Sequence, residues 1–255
     1  MNKEVFRKVI KVYHYTTLDS LKKIMDSGML KFGALSRMND ITEASKDFYL
    51  EGNPEDINWD NIKLLDTVFN SIGQISLSQD GLYPGYALHS MWGHYADCGE
   101  GCCIVFDKSK IITEANQSGI HHQAVIYDKA NDELTLPANN DVNNYISTNY
   151  KTLFFHKRNE WEHEQEYRLI KLNCNNAEIH GISIINAIIA VIFHSNCKQS
   201  IFDCPKIKKY ILNLGNIPVL EYHYSSMWGN KENNMLIDQN GKDWLNNFHS
   251  NDINI

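Results

Sequence analysis

The stretch KRNEWEHEQEYRLIK, residues 157–171, joins an unusual charge pattern to a β-strand pattern. Its glutamates occupy four alternate positions, Glu160, Glu162, Glu164 and Glu166. In an extended chain, side chains two residues apart share a face, with Cα atoms about 6–7 Å apart. In a helix, residues four apart stack instead, so both conformations crowd like charges. The repulsion must therefore be offset by solvent, by a bound substrate, or by the basic neighbours Lys157, Arg158 and Arg168.

Strand patterns and helix patterns are interspersed along the rest of the chain. β-branched and aromatic residues predict strands at 7–15, 71–79, 102–107, 121–128, 166–172, 187–193 and 219–224. Helical spacing of apolar residues and capping residues predict helices at 16–30, 36–51, 86–97, 142–156 and 206–212. We expect Thr17 to cap the first of these helices and Gly28 to end it.

The order of these elements predicts the fold class and the domain organisation. It lacks the regular strand–helix rhythm of a doubly wound sheet. We therefore expect an α+β fold in a single domain over residues 1–230, with two modest sheets and flanking helices. The polar C-terminal tail, residues 231–255, is expected to pack on this domain or to be partly mobile.

Charge and hydropathy narrow the classes of partner. The formal net charge of −7 does not favour a surface that binds nucleic acid or acidic lipid. The longest apolar run, residues 182–193, is shorter than the roughly 20 residues that a membrane span needs. The first residues show no apolar leader, so the six cysteines read as reduced thiols. We expect a cytoplasmic protein without a membrane partner.

Glu164 and Glu166 form the first candidate site. Two carboxylates at the entry to a strand suit a reaction that develops positive charge, such as one with an oxocarbenium-like sugar carbon. Burial beside a second carboxylate would also raise the pKa of one of them. The spacing also allows a plainer interpretation, in which the glutamates form a solvated acidic edge paired with Arg168 and Lys157.

Two further stretches carry polar groups that ligands use. His14 lies on the opening strand, where it can bind a ribose hydroxyl, act as a base or pack at the rim of the core. Arg37 and Asn39 lie at a predicted helix start, where an arginine and the helix N-terminus suit a phosphate. A helix cap and a turn explain Asn39 without any ligand.

The stretch HSMWGHYADCGEGCC, residues 89–103, combines aromatic residues with histidines and cysteines. Trp92 and Tyr95, three residues apart on a helix, can form a wall for a flat ring or bury one helical face. The histidines and cysteines lack the paired spacing of a zinc site, so no metal site is predicted. The chain also lacks the P-loop, G-x-G-x-x-G, G-x-S-x-G and H-E-x-x-H motifs of common nucleotide hydrolases, Rossmann proteins, esterases and zincins.

Taken in order, these stretches resemble a bacterial family of unknown function that is often found beside phage-defence genes. The family pattern is Y-x-Y-T, N-D-P-x-E, W-x-x-Y-A and K-x-x-x-W-x-x-E-x-E-x-R. The chain has YHYT at 13–16, NDITE at 39–43, WGHYA at 92–96 and KRNEWEHEQEYR at 157–168. Ile41 stands where the family usually has proline. The resemblance covers roughly the first two-thirds of the chain, with the strand and helix after Ile184.

At one further remove, the pattern is similar to the His-Tyr-Glu and DNA-modifying toxin branches of the ADP-ribosyltransferase superfamily. That resemblance implies split β-sheets with flanking helices, and NAD as the substrate. It implies that Glu166 is the catalytic carboxylate and that Glu164 orients or deprotonates the acceptor. His14 would bind a ribose hydroxyl, and Tyr95 would stack on the nicotinamide. The implied NAD-binding residues are His14, Tyr15, Thr16, Arg37, Asn39, Trp92 and Tyr95.

Three functions therefore remain open on the sequence. The first is an NAD-dependent ADP-ribosyltransferase, or an NAD glycohydrolase, of a bacterial defence or toxin type, whose acceptor is water, a protein or a nucleic acid. The second is a non-catalytic domain of the same fold that senses a nucleotide or a phage component. The third is a metal-dependent hydrolase or nuclease that uses the glutamates with His156 and His163.

Overall fold

The computed structural model of the protein describes residues 3–35, 48–51, 59–128, 134–137, 142–172, 181–195, 201–227 and 231–244. Its α-helices in these ranges are α1 (Lys3–Lys8), α2 (Leu18–Ser27), α3 (Trp59–Asn70), α4 (His89–Tyr95), α5 (Lys108–Gln117), α6 (Val142–Phe154) and α7 (Pro205–Leu212). Short 3₁₀ helices cover Asp97–Gly99, Asn159–Glu164 and Ile201–Asp203.

The strands of the described ranges outnumber the helices. They are β1 (Lys11–Thr16), β2 (Met29–Lys31), β3 (Gly33–Ala34), β4 (Phe48–Glu51), β5 (Gly73–Gln79), β6 (Cys102–Asp107), β7 (His121–Ala124), β8 (Ile126–Asp128), β9 (Leu134–Pro137), β10 (His156–Arg158), β11 (Glu166–Lys171), β12 (Gly181–Ser183), β13 (Ile188–His194), β14 (Val219–Met227) and β15 (Lys231–Asp238). Helices and strands mix without regular alternation, so the predicted α+β class is confirmed.

The chain divides into two compact units, and each is described by itself. The first unit contains residues 1–29, 78–111 and 184–255. Its strands follow the order β15-β14-β13-β6-β1, and β1 also pairs with the last two residues of β5. β13 and β14 are parallel, and the other neighbours are antiparallel. Parallel pairing of β13 with β14 requires a crossover, and α7 lies in that connection.

The core of the first unit is rich in aromatic side chains. The rings of Tyr15 and Trp92 meet edge to face with centroids 5.1 Å apart, and Trp92 stacks on Tyr222 at 6.1 Å. Tyr86 packs edge-on against Tyr222 at 5.6 Å. We call these four residues, Tyr15, Tyr86, Trp92 and Tyr222, the aromatic cluster. All four are buried, so their burial contributes to the unit's hydrophobic stabilisation.

The second unit contains residues 30–77 and 112–183. Its strands β5, β11 and β7 are neighbours in that order, and β3 pairs with the start of β5. The parallel pairs β8–β10 and β4–β9 lie outside this order. Helices α3 and α6 pack through an apolar core that includes Leu65, Ile146 and Phe154.

Several predicted elements are confirmed with small shifts in their ends. Helix α2 begins after Thr17, whose Oγ1 accepts from Ser20 N at 3.2 Å, and it ends at Gly28 with φ of 64°. The predicted strands at 71–79, 102–107, 166–172, 187–193 and 219–224 correspond to β5, β6, β11, β13 and β14. The helices predicted at 86–97, 142–156 and 206–212 correspond to α4, α6 and α7.

Three predictions of secondary structure were wrong in part. The opening strand begins at Lys11 rather than at residue 7, because the residues before it form α1 and bury Phe6 against Trp244. The strand predicted at 121–128 is two strands, since the backbone changes partner at Val125. Val125 N donates to Glu166 O, whereas Ile126 N donates to Phe155 O.

The third error is the helix predicted at 36–51. Its last four residues form β4, which pairs in parallel with β9, and its other residues lie outside the described ranges.

The predicted boundary at residue 230 lies between β14 and β15, which pair antiparallel along the length of β15. In the described parts of the chain, no helix has the length and apolar character of a membrane span.

Candidate functional site

The four alternate glutamates do not share a face of the structure. Residues 159–164 form a 3₁₀ helix, Gln165 adopts a left-handed conformation with φ of 46°, and β11 begins at the next residue. Glu160 and Glu162 are exposed, whereas the exposed fractions of Glu164 and Glu166 are 4% and 3%. The repulsion is thus relieved by sending two carboxylates to solvent and two to buried cations.

The two buried glutamates belong to a network with Lys157 and Arg168, which we call the charge network. Arg168 Nε and Nη2 donate to Glu166 Oε1 and Oε2 at 2.8 and 2.7 Å, a two-pronged ion pair. Lys157 Nζ donates to Glu164 Oε2 at 2.6 Å. The exposed fractions of Lys157 and Arg168 are 6% and 1%. Two positive and two negative charges therefore cancel inside the second unit.

Arg168 also ties the strand to a helix end. Its Nη1 donates to Phe154 O, the last residue of α6, at 2.6 Å. The last carbonyls of a helix have no partner within the helix, and a cation there interacts favourably with the helix dipole. One guanidinium thus holds Glu166 and the C-terminus of α6 together.

Lys157 is the cation that contacts both carboxylates. Its Nζ lies 2.6 Å from Glu164 Oε2 and 3.7 Å from Glu166 Oε2. The same Nζ lies 4.4 Å from the centroid of the Trp161 ring. A cation over an aromatic face gains electrostatic attraction, more so where water is excluded. The ammonium is therefore held by two carboxylates and one indole.

The Glu166 carboxyl is held in its ionised form. Burial would raise its pKa, but the charge and hydrogen bonds of Arg168, the charge of Lys157 and a hydrogen bond with Ser76 outweigh burial, and the pKa falls from 4.5 to about 2. Glu166 N donates to Tyr127 Oη at 2.8 Å, which fixes the backbone at the strand entry. The site can therefore present a fixed negative charge at any pH near neutrality.

The predicted ion pairs of the glutamates with Lys157 and Arg168 are confirmed, but the solvated edge is wrong for Glu164 and Glu166. Sequence reasoning missed Tyr127 and Ser76. Tyr127 comes from β8, where it is paired with Lys157 in the parallel register. No local pattern marks either residue, because strand pairing over long sequence separations brings both to Glu166.

Five of the residues predicted to bind NAD belong to the first unit, namely His14, Tyr15, Thr16, Trp92 and Tyr95, whereas Glu164 and Glu166 belong to the second. Tyr15 Oη donates to Gly85 O at 2.6 Å, and Trp92 Nε1 donates to Tyr86 O at 2.8 Å. Both side chains lie in the aromatic cluster, and Thr16 is buried beside them on β1. Within this unit, His14 on β1 and Tyr95 on α4 are half-buried. Arg37 and Asn39 lie outside the described residues.

The described residues do not bring together a metal site. They contain no group of three or more histidine, cysteine, aspartate or glutamate side chains that suits a metal ion. His156 Nδ1 pairs with Asp128 Oδ2 at 3.1 Å, and His163 is exposed with its Nδ1 at 2.9 Å from Glu160 O. Lys157 and Arg168 already occupy the carboxylates, so a divalent cation there would face two positive charges.

Comparison with known families supports the resemblance in its coarser form. Residues 91–169 match the sequence profile of a family described as Protein of unknown function (DUF2971). The matched span runs from α4 to β11 and includes all four residues of the charge network. No characterised protein matches the chain, and no solved structure matches it. The comparisons give no support to the more distant ADP-ribosyltransferase resemblance.

Proposed function

We propose that the charge network is the acidic centre of an NAD-dependent ADP-ribosyltransferase or NAD glycohydrolase. The observation that carries the proposal is an ionised, buried carboxylate, Glu166, beside a second buried carboxylate at the entry to a strand. A negative charge fixed in a site that excludes water attracts a developing cation more strongly than one in solvent does. Cleavage of a nicotinamide–ribose bond develops such a cation on the sugar.

The proposed step uses the two carboxylates differently. The bond between the ribose carbon and the nicotinamide nitrogen breaks, and nicotinamide leaves with the bonding electron pair. Glu166 stabilises the sugar cation, and an acceptor oxygen or nitrogen attacks that carbon. Glu164 takes the acceptor's proton, which places it as the general base. Arg168 holds the Glu166 carboxylate in one orientation through two hydrogen bonds.

A specific observation favours a second function, that of a non-catalytic ligand-binding module. Both oxygens of Glu166 already accept from Arg168, and the residue is 3% exposed. A saturated, buried ion network is also a common structural device that fixes one packing arrangement. In this function the network supports the fold, and a nucleotide or phage component binds without chemistry. The metal-dependent alternative has less support, because the described residues contain no group of three or more side chains that suits a metal ion.

Nicotinamide release from NAD by the purified full chain tests the first function. We expect release by the wild-type protein and a loss of about 100-fold or more in Glu166→Gln, the size typical of removing a charge-stabilising group. Glu164→Gln should lose less if water is the acceptor. Glu162→Gln is the matched control, because Glu162 is exposed on the same 3₁₀ helix. Circular dichroism of each variant separates lost chemistry from lost folding.

Thermal unfolding in the presence of NAD separates the two functions. A ligand that binds only the folded state at about 100 times its Kd adds about 2.7 kcal/mol to the free energy of unfolding. Stabilisation without nicotinamide release would assign the binding function. Release that is equal in wild type and in a folded Glu166→Gln variant would reject the catalytic role of Glu166. If NAD causes no nicotinamide release and no stabilisation, NAD is excluded as the ligand.

A further inference from the structure

The charge network raises a problem of access, because its carboxylates are buried in the closed protein. The half-buried ring of Trp161 lies 4.4 Å from the ammonium of Lys157, which contacts both carboxylates. Arg168 contacts Glu166 and the end of α6. Exposure therefore decreases from the half-buried Trp161 on the 3₁₀ helix to Lys157 at 6% and Arg168 at 1%.

The covering segment is residues 159–165, which we call the strap. Its side chains at Glu160, Glu162 and His163 are exposed, and Glu164 is its one buried residue. The strap lies beside β8 and β10 but contributes no buried apolar side chain. Segments with few buried apolar contacts open at lower free energy than the core does. The strap therefore has the composition of a segment that opens locally.

Polar contacts with Lys157 connect the strap to the sheet. Glu164 and Trp161, at two positions of the strap, both contact the ammonium of Lys157. Lys157 itself lies in β10, which is paired with β8. Loss of this one ammonium would remove an ion pair and a cation–π contact together.

The strap also ends in a conformation that suits a hinge. Gln165 is left-handed, with φ of 46° and ψ of 49°, although it has a side chain. Residues other than glycine rarely adopt this region, and they do so where the surroundings enforce it. Release of the strap would let this residue return to a more common conformation, whereas Glu166 on the other side remains in the strand ladder.

We propose that the strap is a lid over Glu166, held shut by Lys157, and that a ligand reaches the carboxylate when the lid opens. Opening moves Glu164 and Trp161 away from Lys157 and admits the ligand, and reclosure returns Glu164 to the site, where it acts as described under Proposed function. The inference concerns regulation of the site described under Proposed function and rests on that function only for the identity of the ligand. The lid itself is a property of the chain and is measurable without any substrate.

Amide hydrogen exchange of the full chain, followed by mass spectrometry, tests the lid. In Lys157→Met, we expect exchange of peptides covering residues 159–165 to accelerate about tenfold or more, because the ion pair and the cation–π contact are both lost. Peptides from α6 should keep their wild-type rate. Lys157→Arg retains a cation that can meet both Glu164 and Trp161, so it should exchange more slowly than Lys157→Met.

Trp161→Leu provides a second variant if Lys157→Met fails to fold. Trp161 is half-buried, so its replacement removes the ring over Lys157 and leaves the ion pair in place. We expect a smaller acceleration, about threefold, confined to the strap. Glu162→Gln, on the exposed side of the strap, should leave the rate unchanged. Unchanged strap exchange in both Lys157→Met and Trp161→Leu, or equal acceleration in the strap and α6, would overturn the lid.

The outcome for the lid is separable from the outcome for the enzyme. If amide exchange of the strap accelerates in Lys157→Met but no nicotinamide is released, the results support the lid and reject the NAD-cleaving function. If nicotinamide release depends on Glu166 and the strap does not respond, the function stands and the lid falls. With NAD as the probe, faster strap exchange in its presence assigns NAD to the open form, and unchanged exchange excludes NAD as the opening ligand.

Discussion

The aromatic cluster of the first unit and the charge network of the second are both buried, but they stabilise their units in different ways. In the aromatic cluster, each ring gains from its own burial, and the polar ends of Tyr15 and Trp92 bond to backbone carbonyls. In the charge network, no member is favourable alone, because each buried charge needs its partner. Each ring of the aromatic cluster therefore stabilises its unit by itself, whereas each member of the charge network stabilises its unit only while its partner is present.

This difference predicts how each region responds to substitution. A smaller apolar side chain in the aromatic cluster costs the area and contacts it loses, while the other rings remain compatible with burial. Removal of one charge from the network also leaves its partner buried without compensation. Substitutions of similar volume should therefore destabilise the second unit more than the first.

Arg168→Met gives the largest expected effect. The change leaves Glu166 without its two-pronged partner and Phe154 O without its donor. Breaking a buried ion pair from one side typically costs about 3–5 kcal/mol. Urea denaturation followed by circular dichroism measures the free energy of unfolding. Arg158→Met, at an exposed position of β10, is the control and should change it by less than about 0.5 kcal/mol. A cost below about 1 kcal/mol for Arg168→Met would contradict the interdependence of the network.

Acid should destabilise the protein through Glu166. The folded-state pKa of about 2 lies below the ordinary 4.5, so the ionised carboxylate stabilises the folded protein above pH 4.5. That contribution is lost as the pH falls from 4.5 through about 2. Denaturant unfolding at intervals between pH 6 and pH 2 measures the loss.

Glu166→Gln is the variant that isolates this pH dependence. It is less stable at pH 6 because Arg168 loses its charged partner, but its free energy of unfolding should vary less between pH 4.5 and pH 2. Glu162→Gln, which removes an exposed carboxylate, should keep the wild-type slope. A Glu166→Gln variant with the wild-type slope would show that other groups carry the acid sensitivity.

Elements specified by neighbouring residues were predictable from the sequence. Thr17 and Gly28 mark the ends of α2 through a side-chain cap and a left-handed turn, both of which are local. The errors occurred where pairing between strands that are far apart in the sequence determines the secondary structure. Val125 ends β7 because its N–H pairs with Glu166 and that of the next residue pairs with Phe155. Likewise, β4 is a strand because β9 pairs with it.

The candidate site was predictable in its residue types but not in its geometry. The sequence pattern identified Lys157, Glu164, Glu166 and Arg168 as charged groups of one site, and it predicted that they form ion pairs. Their burial did not follow, since a 3₁₀ helix and the left-handed Gln165 separate the exposed glutamates from the buried ones. Tyr127, 39 residues before Glu166 in the chain, reaches its N–H through long-range strand pairing that no local pattern encodes.

Trp92→Phe gives the smallest of the expected effects and tests the other side of the comparison. The change removes part of a buried ring and leaves Tyr86 O without the indole donor at 2.8 Å. The remaining aromatic cluster stays apolar, so we expect a loss of about 1–2 kcal/mol in the free energy of unfolding. Tyr95→Phe, at a half-buried position on the same helix, should cost less than about 0.5 kcal/mol. A loss for Trp92→Phe as large as that for Arg168→Met would mean that the aromatic cluster is as interdependent as the charge network.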